Sequence, residues 1–234
     1  MRGRISIGDF IIALAVIVLL AWVLWLFIPA PRVEAPAGPA GDQLRALIVR
    51  SDEGAPDYNR DQFGQKWADE DHNGCDTRND ILARDLARPT FKPHTRDCVV
   101  LSGTLAEPYT GKVIEFQRGQ DTSTLVQIDH VVALADAWRS GAWQWDTARR
   151  QAFANDPDNL LAVDGQANQD KVAASADQWL PPDRSFRCEY VTRQIAVKAK
   201  WKLTVTRAEH DAMAHALAHR RRCAIRAFPF AVFR

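Results

Sequence analysis

The middle third of the chain carries side chains suited to metal-dependent hydrolysis of phosphodiesters. They stand in three runs: Ile128-Asp129-His130-Val131-Val132, Asp158-Asn159-Leu160-Leu161 and Asn168-Gln169-Asp170-Lys171. An imidazole such as that of His130 can take a proton from water. Carboxylate and amide oxygens are hard ligands suited to a divalent cation. These residue types in this order predict a phosphodiesterase that uses one metal ion.

Two strands and a helix must position these side chains. The apolar runs 128–132 and 160–163 predict two short strands with an insertion between them. Asp164-Gly165 predicts a tight turn, after which Asn168 and Lys171 stand one turn apart near the start of a helix. The predicted order is therefore strand, insertion, strand, turn and helix.

Alternation along the first strand separates the two polar neighbours. It sends Ile128 and His130 to one face and Asp129 to the other, so a bulge or a strand end is needed if both are to reach one metal ion. The alternative is a buried histidine bonded to a neighbouring aspartate, with asparagines capping turns. That alternative would be preferred for a lone pair such as Asp71-His72, which has no flanking apolar strand. The ordered set on strand, turn and helix favours the catalytic interpretation.

An acidic segment earlier in the chain has the spacing of half a calcium loop. Alternate oxygen-bearing residues precede a glycine, and an aspartate stands at the twelfth position, where an EF-hand usually has glutamate: Asp69, Asp71, Asn73, Gly74 and Asp80. The alternative is a solvated acidic turn whose side chains cap the next helix. The sequence leaves a structural Ca²⁺ site and a capped turn open.

The start of the chain predicts export. The apolar run from Phe10 to Ile28 is nineteen residues long, about enough to span a bilayer, and Arg2 and Arg4 before it favour a cytoplasmic N-terminus. A cleavable signal is the alternative, with a small-x-small site at Ala35-Pro36-Ala37. Residues beyond the linker would then lie outside the cytoplasm, on the cell membrane or secreted. The predicted segments are an anchor or signal at 1–28 and a Pro-, Ala- and Gly-rich linker at 29–41.

The remainder predicts one α+β domain, mainly helical with few short strands. Residues 42–222 can hold one hydrophobic core, and 223–234 form a tail. The chain has 30 basic and 29 acidic side chains; three basic and two acidic ones precede residue 42, which leaves 27 of each. A non-specific nucleic-acid binder usually has a basic excess. A nuclease needs only a local basic groove, for which Arg78 and Arg84 are candidates, a solvated helix face being the alternative.

The four cysteines predict two disulfides rather than a zinc site. Cys75, Cys98, Cys188 and Cys223 include no CxxC pair, and an even number in an exported chain favours disulfides. Three pairings are open, and sequence order suggests Cys75–Cys98 and Cys188–Cys223. Four buried thiols would be preferred in a cytosolic chain.

The order of these motifs resembles that of the HNH, or His-Me finger, nucleases. It is most similar to exported bacterial HNH proteins related to the C-terminal domain of GmrSD-type restriction endonucleases. Other matching pieces lie within residues 57–218, among them Tyr58-Asn59-Arg60-Asp61, Asn73-Gly74-Cys75-Asp76-Thr77-Arg78-Asn79-Asp80, Pro108-Tyr109-Thr110-Gly111 and Trp179-Leu180-Pro181.

The resemblance implies a ββα-metal core and a role for each site residue. His130 would be the general base. Asp129 and Asn168 would hold a divalent metal, Mg²⁺ before others, because the Asn168 amide oxygen replaces the second histidine of the motif's name. Asn159 would brace the long insertion, and Lys171 would lie near the scissile phosphate.

The resemblance also implies the partners. The substrate would be nucleic acid, with DNA favoured over RNA, and the membrane would be a partner through the N-terminal helix; no protein partner is inferred. The competing class is a non-catalytic, disulfide-stapled envelope protein that keeps the HNH fold for binding. Such a protein has no need to retain Asp129, His130 and Asn168 together.

Overall fold

The computed structural model describes residues 7–26, 33–51, 54–120 and 122–218, which fall into two compact units, 1–33 and 34–234. The first unit contributes one helix, α1 (Ile7–Leu26). In the described segments, no helix meets the combination of length and apolar character that crossing a bilayer requires. The predicted anchor therefore gains no support, and Arg2, Arg4 and residues 27–32 lie outside the described residues.

The second unit mixes helices with short strands, which confirms the α+β class. Its helices are α2 (Pro39–Ala46), α3 (Thr77–Asp85), α4 (Leu134–Arg139), α5 (Thr147–Ala154), α6 (Gly165–Lys171), α7 (Arg187–Trp201) and α8 (Arg207–Ala218). Its strands are β1 (Ala87–Phe91), β2 (Val100–Ala106), β3 (Val113–Gln117), β4 (Val126–His130) and β5 (Leu160–Asp164). Single 3-10 turns cover Arg60–Phe63, Ala142–Gln144 and Pro157–Asn159. Helix α2 begins within the predicted linker, because the fixed backbone angle of Pro39 suits a first helical turn.

The strands form two antiparallel sheets. Strands β1, β2 and β3 pair in chain order, and β1 carries Pro89, which an edge strand tolerates. Strands β4 and β5 pair without a register shift, from Val126 opposite Asp164 to His130 opposite Leu160. Helix α6 follows β5 directly, so the predicted order of strand, strand and helix is present, with α4 and α5 inside the insertion.

Two apolar clusters position this strand pair. The first packs α3 against both sheets and contains Ile81, Leu82, Leu86, Val100, Leu105, Phe116, Val126, Ile128, Leu160 and Ala162. The second lies under the insertion and contains Phe63, Val132, Leu134, Ala137, Trp138, Ala142, Phe153, Ala154, Val197 and Leu203. Ile128, two residues before His130, belongs to the first cluster, and Val132, two residues after it, belongs to the second. His130 therefore lies between the two clusters along the chain.

A buried group of charges joins three helices. The ammonium of Lys198 on α7 lies 2.8 Å from the Asp136 carboxylate on α4 and 2.7 Å from that of Glu209 on α8, and none of the three side chains is more than 3% exposed. Burial first, and Asp136 second, raise the pKa of Glu209 to about 7, although Lys198 opposes the shift. Lys198 is therefore a structural cation and not part of a solvent-exposed basic surface.

The predicted disulfide between Cys75 and Cys98 is present. It links the start of α3 to the residues before β2 across a sequence separation of 23. Cys188 is also disulfide-bonded, and Cys223, its predicted partner, lies outside the described residues. The Cys188–Cys223 pairing stays a prediction that peptide mapping of unreduced protein would test.

Removing the Cys75–Cys98 bond should lower stability before it alters chemistry. By the chain-entropy estimate, a closed loop of this size contributes about 3 kcal/mol. The Cys75→Ser/Cys98→Ser double variant should lose about that much free energy of unfolding in urea titrations. Its activity per folded molecule should match that of the wild type. A variant with wild-type stability would contradict the estimate.

Candidate active site

Strand β4 and helix α6 bring the predicted residues into one region. Because β4 pairs regularly with β5, Gln127 and Asp129 share one face of β4, while Ile128 and His130 share the other. The Asp129 and Gln127 side chains bond to residues of α6, so their face of β4 meets that helix. At its start α6 closely approaches the entry to β4, since a Cβ on Gly165 would lie 2.1 Å from the Thr124 carbonyl oxygen.

The His130 imidazole is held in one tautomer. Its Nε2 lies 2.8 Å from the carbonyl oxygen of Ala154 at the end of α5. Because a carbonyl only accepts, Nε2 carries the hydrogen and Nδ1 carries the lone pair. Burial, aided by the positive charges of Arg60, Lys171 and Lys66, lowers the pKa of His130 to about 3. The ring is therefore neutral near pH 7, with its lone pair on Nδ1.

The Asp129 carboxylate is buried between two donors. The Tyr109 hydroxyl donates to Oδ2 at 2.5 Å, and the Lys171 ammonium donates to Oδ1 at 2.9 Å. Burial first, and the Asp129 charge second, raise the pKa of Tyr109 well above its ordinary value, so the hydroxyl keeps its proton. Asp129 is consequently fixed in position and its charge is compensated.

The structure buries Lys171, whereas the resemblance implied a position near the scissile phosphate. Its ammonium is fully buried and also donates to the His130 carbonyl oxygen at 2.8 Å. It therefore does not face the cleft as a residue in contact with a scissile phosphate would. The physical reason is the ion pair with Asp129, which compensates both charges away from water.

Asn159 holds the start of the insertion. Its side chain is fully buried; its amide nitrogen donates to the Val132 carbonyl oxygen at 3.1 Å, and its amide oxygen accepts from the Val132 nitrogen at 2.8 Å. The Val131 nitrogen donates to the Asn159 carbonyl oxygen at 2.8 Å. Three hydrogen bonds thus fix the backbone immediately after His130.

The side chains whose oxygens are candidate ligands for a divalent cation lie between β4 and α6. The Asn168 amide nitrogen donates to the Gln127 amide oxygen at 2.9 Å, and Asn168 lies one turn before Lys171, the partner of Asp129. Among the described residues, no three acidic, histidine or cysteine side chains are close enough to hold a metal by themselves. Mg²⁺ needs only one or two protein carboxylates, with water and substrate phosphate completing its shell. Asp129 and Asn168 carry oxygens of the type that such an ion takes, and the Lys171 ammonium now occupies Oδ1 of Asp129.

A cleft runs beside His130. A cavity of about 660 Å³ is lined by Asp129, His130, Asn168 and Gln127, together with Arg60, Lys66, Trp67 and Arg78. A second cavity of about 310 Å³ shares His130, Arg60, Lys66 and Trp67 with it. The larger volume lies in the range of small-molecule sites, enough for a nucleotide unit. The site is therefore a cleft with a neutral imidazole and several cations.

The two arginines predicted to contact nucleic acid have different positions. Arg78 lines the cleft, and its Nη1 is buried without a hydrogen-bond partner among the described residues. Burial first, and Arg118 second, lower its pKa. Arg84 instead donates to the carbonyl oxygens of Pro157 and Leu160, at 2.8 and 2.7 Å, and pairs with Asp85. Arg84 thus ties α3 to β5, and this bonding makes it a structural residue.

The side chains of the acidic loop form hydrogen bonds within the loop itself. The Asp69 carboxylate accepts from the nitrogens of Asn73 and Gly74 at 3.1 and 2.9 Å, and the Asn73 amide donates to Asp71 and Asp80 at 3.0 and 3.2 Å. Burial first raises the pKa of Asp80, and the neighbouring Asp71 adds to the shift. These bonds are those of a capped turn, and Ca²⁺ binding by this loop stays a prediction.

Several residues of the site escaped the sequence patterns. Tyr109 belongs to Pro108-Tyr109-Thr110-Gly111, one of the matching pieces, but no role was predicted for it. Gln127 stands two residues before Asp129, and that spacing on a strand could have signalled a shared face. Arg60 stood in a matching piece without a role, and Lys66 and Trp67 had no local signal, because only tertiary packing brings all three to His130.

Comparison with known proteins shows the family of this chain. The model of the family described as GmrSD restriction endonucleases, C-terminal domain, matches residues 76–216, more than half of the chain. The chain belongs to this family. A relative from Arthroderma benhamiae, described as an uncharacterized secreted protein, is 36% identical over 188 residues, which cover 80% of this chain and 87% of the relative. No solved structure matches. The relationship to GmrSD C-terminal domains is thereby shown, and nothing in these comparisons restricts it to bacteria.

Proposed function

We propose that this member of the GmrSD C-terminal domain family is a metal-dependent endonuclease that hydrolyses phosphodiester bonds of nucleic acid, with DNA favoured over RNA. One observation carries the proposal. His130 is a neutral imidazole whose Nε2–H is bonded to Ala154, in a cleft shared with Asp129, Asn168 and Arg78. A binding module needs no such fixed tautomer beside oxygen donors and a cation.

The reaction follows from what these side chains can hold and move. Arg78 binds a non-bridging phosphate oxygen through its spare N–H. His130 Nδ1 takes a proton from water as the water oxygen bonds to phosphorus. The bond from phosphorus to the 3′-oxygen breaks, and that oxygen leaves with a proton from solvent. The products carry a 5′-phosphate and a 3′-hydroxyl.

A divalent cation, Mg²⁺ before others, would be held by Asp129 and Asn168. When bound, it supplies positive charge against the phosphate and the leaving oxygen. Asn159 keeps His130 in place by fixing the backbone that follows it. If a bound cation took the place of the Lys171 ammonium at Asp129, the Tyr109 hydroxyl would still hold the carboxylate in its orientation.

We propose an extracytoplasmic location, with secretion as the form that the relative supports, since that protein is described as secreted. The Cys75–Cys98 disulfide suits an oxidising compartment.

The decisive experiment incubates the purified full chain with supercoiled plasmid in Mg²⁺, and again with EDTA. Nicking in Mg²⁺ that EDTA abolishes supports the function. Binding without nicking would favour the competing class, a disulfide-stapled envelope protein.

The acid limb of the activity profile should lie well below the usual histidine range. The free enzyme's pKa governs the acid limb of kcat/KM, and that of His130 is lowered from 6.5 to about 3. We expect kcat/KM to stay nearly constant from pH 8 down to about pH 5, measured under metal saturation. A tenfold loss for each pH unit below 6.5 would contradict this.

Stability needs a parallel measurement across the same range. The unfolded chain takes up the His130 proton near pH 6.5 and the folded chain only near pH 3. Stability therefore falls as the pH drops through this window, by up to about 1.4 kcal/mol per pH unit. Circular dichroism at each pH separates unfolding from loss of chemistry.

Replacing Asn168 should weaken metal dependence more than replacing Asn159. Asn168 is proposed as a metal ligand, so Asn168→Ala should raise the half-saturating Mg²⁺ concentration about tenfold or more. Asn159→Ala leaves the Val132 backbone groups unpaired, so it should lower thermal stability with little change in half-saturation. Nicking rates across a Mg²⁺ titration distinguish them. An unchanged half-saturation in Asn168→Ala would remove Asn168 from the ligands.

A further inference from the structure

We propose that the segment from Tyr58 to Trp67, here called the cleft segment, is a binding wall for an unpaired nucleic-acid strand. Arg60 and Lys66 hold backbone phosphates, and Trp67 stacks a base. The inference rests on the proposed nuclease function and deepens it, because it names a single strand as the substrate. The match of the family model begins at residue 76, and although Tyr58-Asn59-Arg60-Asp61 is among the pieces that resemble the family, the resemblance gives this segment no role.

The charges of the cleft segment are placed for phosphates. Arg60 and Lys66 line both cavities beside His130 and are exposed, and neither pairs with a carboxylate in the part of the chain that the structure describes. Asp61 lines the smaller cavity, and in the larger one the charge of Asp129 is already compensated by Lys171. The cleft therefore has a local positive excess within a nearly neutral chain, and a polyanion would compensate it.

An aromatic surface lies next to these cations. The Trp67 ring is half-buried and nearly parallel to the His130 ring, with centroids 6.1 Å apart and an interplanar angle of 10°. The Lys66 ammonium is 5.7 Å from the Trp67 centroid, and Tyr58, 39% exposed, lines the larger cavity. Aromatic rings alternating with cations are the pattern by which proteins bind single strands.

The cleft segment is built rigidly. Phe63, 2% exposed, anchors it in the second apolar cluster, and the Gln65 nitrogen donates to the Gln151 amide oxygen at 2.9 Å. Gly64 has a φ of 71°, and a Cβ there would lie 2.5 Å from that same oxygen. Trp67 itself has a φ of 58°, a left-handed conformation that a bulky residue keeps only when its surroundings hold it. Strain of this kind concentrates at binding sites.

Stacking on Trp67 selects an unpaired strand. A base within a duplex has both faces covered by its neighbours, so it must leave the stack before it can lie on an indole ring. A single strand offers its base faces without that cost. The cleft segment should therefore favour single-stranded regions over duplex.

The test measures binding apart from cutting. All proteins carry His130→Gln to prevent hydrolysis, and fluorescence anisotropy follows a labelled oligothymidylate and its duplex with oligoadenylate across a salt titration. Arg60→Gln/Lys66→Gln should weaken single-strand binding and reduce the salt slope by about 1.4, the share of two phosphates. Trp67→Leu should weaken single-strand binding about tenfold with an unchanged slope. The control Lys92→Gln/Lys112→Gln removes the same charge from exposed lysines that do not line the cleft, and it should bind as the parent does.

The outcomes separate this inference from the proposed function. Equal binding by Arg60→Gln/Lys66→Gln and by the control pair would overturn the phosphate role, even if the wild-type chain nicks plasmid. Equal affinity of the parent for single strand and duplex would overturn the choice of an unpaired substrate. If the wild-type chain neither binds nor cuts nucleic acid, both the inference and the function fail.

Discussion

His130→Ala should reduce plasmid nicking by about 10²-fold or more while the chain still folds. The expected loss is that of a general base positioned for water. His130 is suited to this role because its Nε2–H is bonded to Ala154, which leaves the lone pair on Nδ1 of a neutral ring. Nicking rates at saturating Mg²⁺ give the effect.

Two further variants make the result specific. His130→Gln keeps a side-chain amide that can donate to the Ala154 carbonyl oxygen, so it should fold normally and still lose activity. His72→Ala changes the exposed histidine of the other Asp-His pair and should cut at the wild-type rate. Wild-type nicking by either His130 variant would remove His130 from the mechanism.

Lys171→Met should destabilise the chain by about 3 kcal/mol or more and make its stability depend on divalent metal. The Lys171 ammonium and the Asp129 carboxylate are both buried, and removing one partner leaves a buried charge without compensation. A cation held by Asp129 would restore the compensation. Mg²⁺ should therefore raise the Tm of Lys171→Met more than that of the wild-type chain, because no ammonium competes for Asp129 Oδ1.

The double variant Asp129→Asn/Lys171→Met is the matched control. It removes both charges, so it should recover much of the lost stability and respond to Mg²⁺ less than Lys171→Met does. Tyr109 can still donate to the new amide oxygen at position 129. Thermal unfolding with and without Mg²⁺ measures all of these effects. If Mg²⁺ shifts Lys171→Met and the wild-type chain equally, Lys171 and the metal do not share Asp129.

Some features of this chain could be predicted because they depend on local patterns. Apolar runs and a turn signal determined β4, β5 and α6, and alternation determined that Asp129 and His130 leave opposite faces of β4. Strand β1 and helix α5 were not predicted. Pro89 disfavours a strand that is not at the edge of a sheet. Edge position and burial, which are tertiary properties, decided both.

The tautomer and charge state of the site came only from tertiary structure. The tautomer of His130 is fixed because its Nε2–H donates to a carbonyl oxygen of the insertion, 24 residues away in sequence. Asp129 meets Lys171 and Tyr109 across separations of 42 and 20 residues. No sequence pattern encodes such contacts, since they depend on how packed elements meet. The same holds for Arg84, which hydrogen-bonds to backbone carbonyls of residues 157 and 160 instead of facing the cleft.

The sequence by itself indicated the family, the α+β class, the order of strand, strand and helix at the candidate site and, among three open pairings, Cys75–Cys98, because residue types and their spacing carry that information. The tertiary structure alone decided which charged side chains are buried in ion pairs and which remain exposed to solvent. It buries Lys171 and Lys198 in ion pairs, engages Arg84 in backbone contacts, and leaves Arg60 and Lys66 exposed beside His130. The physical reason is that moving a charged group from water into a core requires a large desolvation free energy, and only the fold determines which side chains remain in water.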